Sequence, residues 1–256
     1  MLEQNAIYCG DCLELFKSVD SKSIDLVVTS PPYNVGIEYD VHNDNMAWED
    51  YYRWSEKWMR EVYRVLKPDG RFCLNHYLSM GQSSNRHSPL MDLNYIGVNF
   101  VGFKHHGLAV WWDITITKRT AWGSWLSASA PYINSPLEGV LILYKDSWKL
   151  ARRGDSTVTK EEFMEACSGI WKLQPERNRE FPAPFPVSLP ARCINMFTYR
   201  GDTVLDPFSG SGSTAVAAKQ FERRYIGFEI SDKYCKMARD RLNRISSKLT
   251  QSVLAV

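Results

Sequence analysis

A short polar turn in the first part of the chain has the residue types needed to activate an amine. Ser30-Pro31-Pro32-Tyr33 closes the largely apolar run 24–29. The Ser30 hydroxyl and the Pro31 carbonyl are neutral acceptors, and they could accept both N–H bonds of an exocyclic amine so that its nitrogen becomes more nucleophilic. The two prolines stiffen the turn. Tyr33 offers a flat face on which an extruded base could stack. A direct displacement by the amine would suffice, so the chemistry needs neither a cysteine nucleophile nor a metal.

A second motif, far along the chain, predicts a ligand-binding loop. Residues 206–214 read Asp-Pro-Phe-Ser-Gly-Ser-Gly-Ser-Thr and lie between a predicted strand and a predicted helix. Backbone N–H groups around Gly210 and Gly212 can approach a ligand closely, and the start of the helix favours a negative group. Glu229 follows Gly210 by nineteen residues at the end of the next strand, where it could accept both hydroxyls of a ribose. No lysine follows the glycines, which argues against a phosphate-gripping loop.

Two further carboxylates belong to this hypothesis. Asp206 could pair with an ammonium group of the ligand or cap the turn, and the two roles are compatible. Asp11 follows a short apolar start and reads either as a surface turn residue or as an acceptor for an adenine amino group.

Continuous apolar runs that are each followed by a helical pattern predict a mostly parallel sheet covered on both faces. We expect strands over 24–29, 71–75, 109–117, 139–144, 203–206 and 225–229. Helices are predicted over 48–66, 189–197 with Ser188 as its cap, 213–220 and 232–245, with a frayed end over 246–256.

The composition is that of an ordinary globular protein, with 44% hydrophobic residues and a net charge of +2. This balance permits a nucleic-acid partner without arguing for one. The six cysteines lack the paired spacing of a zinc site, so we expect buried, reduced thiols and no metal. With no signal peptide and no membrane-spanning run, a cytoplasmic protein is expected.

Together the motifs resemble the β group of DNA amino-methyltransferases, in which the chemistry motif precedes the cofactor motif. The blocks that carry the resemblance follow in that family's order: 10–11, 29–34, 64–71, 181–192, 206–214 and 225–229. The resemblance implies an α/β, Rossmann-like methyltransferase fold, circularly permuted, with a seven-stranded, mostly parallel sheet flanked by helices. It also implies S-adenosylmethionine as cofactor.

Residue roles follow from the same resemblance. The catalytic turn is Ser30, Pro31, Pro32 and Tyr33, and the cofactor-binding set is Asp11, Asp206, Phe208, Gly210, Gly212, Ser213, Thr214 and Glu229. The segment with Pro184, Phe185 and Pro186 would cover the methionine end. Serine before Pro-Pro-Tyr resembles the cytosine-N4 enzymes more than the adenine-N6 enzymes.

Target recognition is expected to use basic residues that neutralise phosphates. The candidates are Lys118, Arg119, Arg152, Arg153, Arg177 and Arg179, with weaker ones at Lys104, His105 and His106. Residues 119–168 lack a steady period and are predicted to be a target-recognition region between a catalytic part (1–118) and a cofactor-binding part (169–256) of one domain. The polar stretch 36–47 is predicted to be a mobile flap.

The leading hypothesis is a site-specific DNA cytosine-N4 methyltransferase acting on a flipped-out base, with a restriction endonuclease and a homodimer as candidate associations. Three alternatives remain: an adenine-N6 enzyme, an RNA methyltransferase, and a nucleic-acid-binding protein that has lost catalysis.

Overall fold

The computed structural model describes residues 2–41, 44–82, 85–113, 124, 126–131, 137–176, 181 and 185–254. Its strands are β1 (Ala6–Cys9), β2 (Ile24–Thr29), β3 (Leu66–Tyr77), β4 (Met80–Gln82), β5 (Asn85–His87), β6 (Lys104–Asp113), β7 (Glu138–Tyr144), β8 (Ile170–Leu173), β9 (Thr203–Asp206) and β10 (Arg224–Glu229). Its helices are α1 (Cys12–Phe16), α2 (Trp48–Val65), α3 (Pro89–Ile96), α4 (Lys160–Cys167), α5 (Ser188–Phe197), α6 (Ser213–Gln220) and α7 (Asp232–Leu254). A π-helical turn over Gly97–Val101 extends α3.

Eight of the described strands form one sheet in the order β1-β10-β9-β2-β3-β7-β6-β8. The strands from β1 to β3 in this order are parallel, β7 is antiparallel to both its neighbours, and β8 is parallel to β6. The N-terminal strand therefore lies beside the last strand, which confirms the circular shift and the α/β class. The count of seven strands needs correction, because β8 adds an eighth strand beyond β6 and anchors it through the buried Trp171.

The two faces of the sheet are covered by different parts of the chain. Leu26 and Val28 pack on one face against α5, α6 and α7, whereas Val27 packs on the other face against α1, α2 and α3. Alternation along one strand serves both cores because side chains of a strand point to opposite faces in turn. Helix α2 buries Trp58 and Val62 completely. The parallel strands are thus packed on both faces, and their carboxyl ends lie at one edge of the sheet.

Most predicted elements are confirmed within a few residues, and the differences have local causes. Helix α5 has Val187 at its N-cap without a side-chain cap, so the prediction of Ser188 as the cap is wrong; Ser188 is the first helical residue. Helix α7 continues to Leu254 where a frayed end was predicted. Strand β7 lies inside the range 119–168 and is a central strand of the main sheet, so that part of the range belongs to the sheet.

The cysteines differ from the prediction of six buried, reduced thiols. Cys9 and Cys235 are joined as a disulfide, with Cα atoms 6.0 Å apart. They meet because β1 pairs with β10, and α7 begins just after β10. Cys167 is exposed, whereas the remaining three are buried free thiols.

Candidate active site

The two sequence motifs begin side by side at the carboxyl edge of the sheet. Strand β2 leads into the Ser-Pro-Pro-Tyr turn (30–33) and pairs in parallel with β9, which leads into the glycine loop (207–212). The last residues of these strands are joined directly, because the Thr29 hydroxyl donates to Asp206 Oδ1 at 2.6 Å. The structure therefore brings together two motifs that lie far apart in the sequence.

Both motifs line one cavity of about 500 Å³. Among the residues predicted to form the site, those on its wall are Asp11, Ser30, Pro31, Pro32, Tyr33, Phe208, Gly210, Ser213 and Glu229. Phe185 also lines the cavity, whereas Pro184 lies outside the described residues. Asp206, Gly212 and Thr214 do not reach the wall and support it from behind.

Asp206 fills the capping role, which is one of the two compatible roles predicted for it, and contact with a ligand ammonium stays a prediction. Its carboxylate is 1% exposed and accepts hydrogen bonds from the Thr29 and Thr214 hydroxyls, each at 2.6 Å, and from the Phe208 N–H at 3.0 Å. Burial raises the pKa of Asp206 to about 6. The side chain caps the turn and ties it to β2 and α6.

The glycine loop requires glycine at two positions. A Cβ on Gly210 would lie 2.6 Å from Phe181 Cζ, and a Cβ on Gly212 would lie 3.0 Å from Ala238 Cβ. Both glycines have positive φ angles, of +51° and +85°. The loop can therefore pack this closely against Phe181 and Ala238 only because these positions carry no side chain.

Two carboxylates on the wall of the cavity also hold local backbone. Glu229 accepts the Gly210 N–H through Oε2 at 2.8 Å and the Ser231 N–H through Oε1 at 2.9 Å. Burial raises the pKa of Glu229. Asp11 is the N-cap of α1 and accepts the N–H groups of Leu13 and Glu14 through Oδ1. Each carboxylate oxygen has more than one lone pair, so both side chains retain acceptor capacity toward the cavity.

The Ser-Pro-Pro-Tyr turn contains a hydrogen-bonded chain that the sequence analysis missed. The Ser30 hydroxyl donates to Tyr33 Oη at 2.8 Å, and Tyr33 donates to Glu138 Oε2 at 2.6 Å. Asn75 Nδ2 donates to both Tyr33 Oη and Glu138 Oε2. Burial raises the pKa values of Tyr33 and Glu138. Glu138 is the first residue of β7 and lines the cavity, whereas Asn75 lies inside β3 behind the wall, so no sequence motif marked either residue.

The same turn is fixed from behind by two aromatic side chains. Tyr51 donates from Oη to the Pro32 carbonyl at 2.8 Å and lies 3.0 Å from His76 Nε2. The His76 ring stacks on Tyr33 at a centroid distance of 4.3 Å. Burial lowers the pKa of His76 to about 3, so the ring is neutral at physiological pH. One face of Tyr33 is therefore already occupied by protein.

The predicted flap is held by specific contacts. Asp44 is 2% exposed, and its carboxylate accepts the N–H groups of Asn34, Val35 and Ile37 at 2.8, 3.0 and 3.0 Å. Asp40 accepts a hydrogen bond from the Ser231 hydroxyl at 2.6 Å, which joins the flap to the loop after β10. On either side of residues 42 and 43, these contacts hold the flap against the cavity, and its mobility stays a prediction.

Among the basic residues selected for phosphate contact, Arg152 and the weaker candidates at 104–106 lie away from the cavity. Arg152 forms ion pairs with Asp202 and, at 3.8 Å, with Asp25, which precede or begin strands at the amino edge of the sheet. That edge is opposite the cavity, so we expect Arg152 to stabilise the fold and not to contact DNA, whereas the contact of Arg153 with DNA stays a prediction. Strand β6 also begins at that edge, which places the weaker candidates 104–106 there. Lys118, Arg119, Arg177 and Arg179 lie outside the described residues.

Two further findings concern metal binding and membrane crossing in the part of the chain that the structure describes. Within the described residues, no group of three or more His, Cys, Asp and Glu side chains is placed to hold a metal ion. No helix in the same part of the chain combines the length and apolar character needed to cross a membrane.

Comparisons with known proteins agree with this geometry. Residues 24–240 match the N6/N4 methyltransferase model of the DNA methylase family. The type II methyltransferase M.MjaVI of Methanocaldococcus jannaschii is 44% identical over 168 residues, which cover 64% of this chain and 85% of that protein. TTHA0409 of Thermus thermophilus, solved with S-adenosyl-L-methionine, has a TM-score of 0.75 and 27% identity over 93% of each chain. The cytosine-N4-specific PvuII DNA methyltransferase shares the fold, with a TM-score of 0.71 and 22% identity over 93% of this chain and 86% of that one.

The cavity fits the cofactor that these comparisons indicate. Its volume lies within the range of about 300 to 1,000 Å³ typical of small-molecule sites, and it combines the Glu229 carboxylate with the apolar side chains Phe208 and Phe185. Gly210 and Phe181 meet on the wall of the cavity so closely that no Cβ fits between them. This chain belongs to the N6/N4 family of DNA methylases and uses S-adenosylmethionine as its cofactor.

Proposed function

We propose that this DNA methylase modifies the N4 amine of a cytosine flipped out of duplex DNA. The observation that carries the proposal is the position of Ser30, whose hydroxyl lines the cavity and donates its hydrogen to Tyr33. Serine before Pro-Pro-Tyr resembles the cytosine-N4 enzymes, and here it is presented as a neutral acceptor. Adenine N6 needs the same geometry and is the alternative.

The donor end of the cavity is assigned to the residues around the glycine loop. Glu229 would accept the ribose hydroxyls, and Asp11 would accept the adenine amino group. Gly210, Phe208 and Ser213 line the same region, with Gly212, Thr214 and Asp206 as its support. When bound, S-adenosylmethionine supplies a methyl group on a positively charged sulfur, and the sulfur keeps the electron pair of the broken bond.

The acceptor end is assigned to the Ser-Pro-Pro-Tyr turn. The lone pair of the exocyclic amine is delocalised into the base, so the site must favour a more tetrahedral nitrogen. Ser30 Oγ and the Pro31 carbonyl would accept its two N–H bonds and direct the lone pair toward the methyl carbon. The positive charge that develops on nitrogen then lies beside preorganised oxygen atoms, and one proton passes to water as the neutral N-methylated base forms.

Aromatic side chains on the wall supply surfaces for the extruded base. Tyr33, Tyr77 and Trp111 all line the cavity, and Tyr77 packs edge to face on Tyr33 at 5.0 Å. Extrusion costs a few kcal/mol, and stacking contributes about 1–3 kcal/mol per base in single-strand binders. Stacking of this size can offset the extrusion.

Wider associations follow by analogy with the relatives. The named relative M.MjaVI is a type II methyltransferase, so we propose a role in restriction-modification, with a cognate endonuclease that acts on the same site and a homodimer as further expectations. Target recognition is proposed for the part of residues 119–168 that precedes β7. Arg153 and the four basic residues at 118, 119, 177 and 179 remain candidates for phosphate contact.

The decisive experiment identifies the modified base. The chain is expressed in a host that lacks DNA methylation, and genomic DNA is digested to nucleosides and measured by mass spectrometry. We expect N4-methylcytosine, absent from a host that carries Ser30→Ala. N6-methyladenine as the product would overturn the cytosine assignment, and label transfer to RNA in preference to DNA would overturn the nucleic-acid assignment. Sequencing with a modified-base readout then gives the recognition site.

A further inference from the structure

Glu138 is a buried carboxylate at the acceptor end of the cavity, and no motif identified it. It is the first residue of β7, opposite Tyr77 of β3 and Trp111 of β6. Because β7 runs antiparallel to its neighbours, its first residue reaches the edge where the parallel strands end. The reversal of one strand thus brings an acid next to the Ser-Pro-Pro-Tyr turn.

The hydrogen-bond donors around Glu138 can be assigned one by one. The Tyr33 hydroxyl donates to Glu138 Oε2 across 2.6 Å, which is the only direction open to it when Glu138 is ionised, since an ionised carboxylate only accepts. A phenol has one hydrogen, so Tyr33 Oη can only accept from its remaining neighbours. These neighbours are the Ser30 hydroxyl at 2.8 Å and Asn75 Nδ2 at 2.5 Å.

The orientation of Asn75 agrees with this assignment. Its Nδ2 lies 2.6 Å from Glu138 Oε2 and 2.5 Å from Tyr33 Oη, and the two amide hydrogens satisfy both contacts. A flipped amide would place its oxygen against a carboxylate oxygen, which is repulsive. Amide orientation is set by such networks, and only one orientation is consistent here.

The consequence reaches Ser30. Its single hydrogen is directed to Tyr33, so only the lone pairs of Ser30 Oγ remain for a group in the cavity. We propose that Glu138 is a positioning residue, which acts through Tyr33 to keep Ser30 as a hydrogen-bond acceptor for the target amine. This inference rests on the proposed function of the turn.

A neutral side chain at position 138 removes this constraint. Glutamine can donate to Tyr33 through its amide, and Tyr33 can then turn its hydrogen to Ser30. Ser30 would in turn direct its own hydrogen into the cavity, toward the lone pair that must attack. The redirected Ser30 hydrogen bond involves the bound amine and not the cofactor, so turnover should fall while cofactor affinity stays unchanged.

The test is a double-mutant cycle on the full chain with Glu138→Gln, Tyr33→Phe and the combined variant. Single-turnover methyl transfer to DNA is measured at saturating substrate, with cofactor affinity by calorimetry and Tm as a check on folding. We expect Glu138→Gln to lower the transfer rate about 10- to 100-fold, with cofactor affinity within about threefold of wild type. Because Glu138 acts through the Tyr33 hydroxyl, methyl transfer by the combined variant should be at most about threefold slower than by Tyr33→Phe alone.

Either of two results would overturn the inference: a wild-type transfer rate in Glu138→Gln, or rate losses that multiply in the combined variant. The identity of the methylated base in wild type tests the proposed function separately. A wild type that makes N6-methyladenine would overturn that proposal, yet the cycle would still report whether Glu138 acts through Tyr33.

Discussion

Replacing Asp44 with asparagine should release the loop that follows the Ser-Pro-Pro-Tyr turn. One Asp44 carboxylate accepts three backbone N–H groups, those of Asn34, Val35 and Ile37, at 2.8 to 3.0 Å. Asparagine retains one acceptor oxygen in place of two and turns an NH₂ group toward backbone donors. At least one of the three hydrogen bonds is therefore lost, and those that remain are made to a neutral acceptor in place of a charged one.

The size of the effect follows from the bonds that are lost. A hydrogen bond to a charged group contributes about 1.5–3 kcal/mol, which corresponds to a factor of about 10 to 150 in an opening equilibrium. Because this loop can open while the sheet stays folded, the loss should appear mainly as local opening, with a smaller change in Tm.

Amide hydrogen exchange measures the opening directly. Protection of the amides of Asn34, Val35 and Ile37 should fall by that factor in Asp44→Asn. Asp40→Asn is the matched control, because Asp40 lies in the same flap and its carboxylate accepts from Ser231. Equal protection in Asp44→Asn and wild type, or an equal loss in the control, would refute the reasoning.

Three further predictions concern the cavity and its support. Gly210→Ala should weaken S-adenosylmethionine binding in calorimetry, because its Cβ meets Phe181 at 2.6 Å; Gly201→Ala, which also has positive φ but an open Cβ position, should bind normally. Equal affinities in the two variants would contradict this account. Burial raises the pKa of Asp206 to about 6, so the folded state holds that proton more tightly than the unfolded state does. The contribution of Asp206 to the free energy of unfolding should therefore decrease by up to ~3 kcal/mol as pH rises from about 4 to 6, and urea titrations of Asp206→Asn should lack this decrease. Arg152→Ala should lower the free energy of unfolding by about 1–2 kcal/mol, since it leaves a buried carboxylate without its partner. The salt dependence of DNA binding should stay unchanged in this variant, and a flatter slope would return Arg152 to the DNA interface.

Continuous buried strands were the easiest elements to predict. The bounds of β2 and β9 match the prediction because every residue in both is buried, and the apolar run is then the element itself. The glycine loop and Glu229 were found because a strand, a glycine-rich turn and a spaced acid form a pattern within one short segment. Local signals of this kind survive in a single sequence.

Features that depend on the direction of a strand, or on which way a side chain points, could not be predicted. Nothing in the composition of β7 states that it runs antiparallel, so Glu138 had no signal that placed it at the cavity. Asp206 was given two compatible roles, ligand pairing and capping of the turn, because an acid at a strand end can face either way, and here two threonine hydroxyls hold it inside. The charge of Arg152 is visible in the sequence, but the groups that surround it are not. Its two carboxylate partners lie 50 residues or more from it along the chain, and only the fold brings them together.

The pairing of β1 with β10 has a consequence for how the enzyme is made. Gly10 and Asp11 are translated more than 200 residues before Glu229 and Ser231. Contacts between such distant positions form slowly, because a long loop of chain must close before they are gained. Because Gly10, Asp11, Glu229 and Ser231 all line the cavity, its wall is complete only after β10 and the residues that follow it have been synthesised.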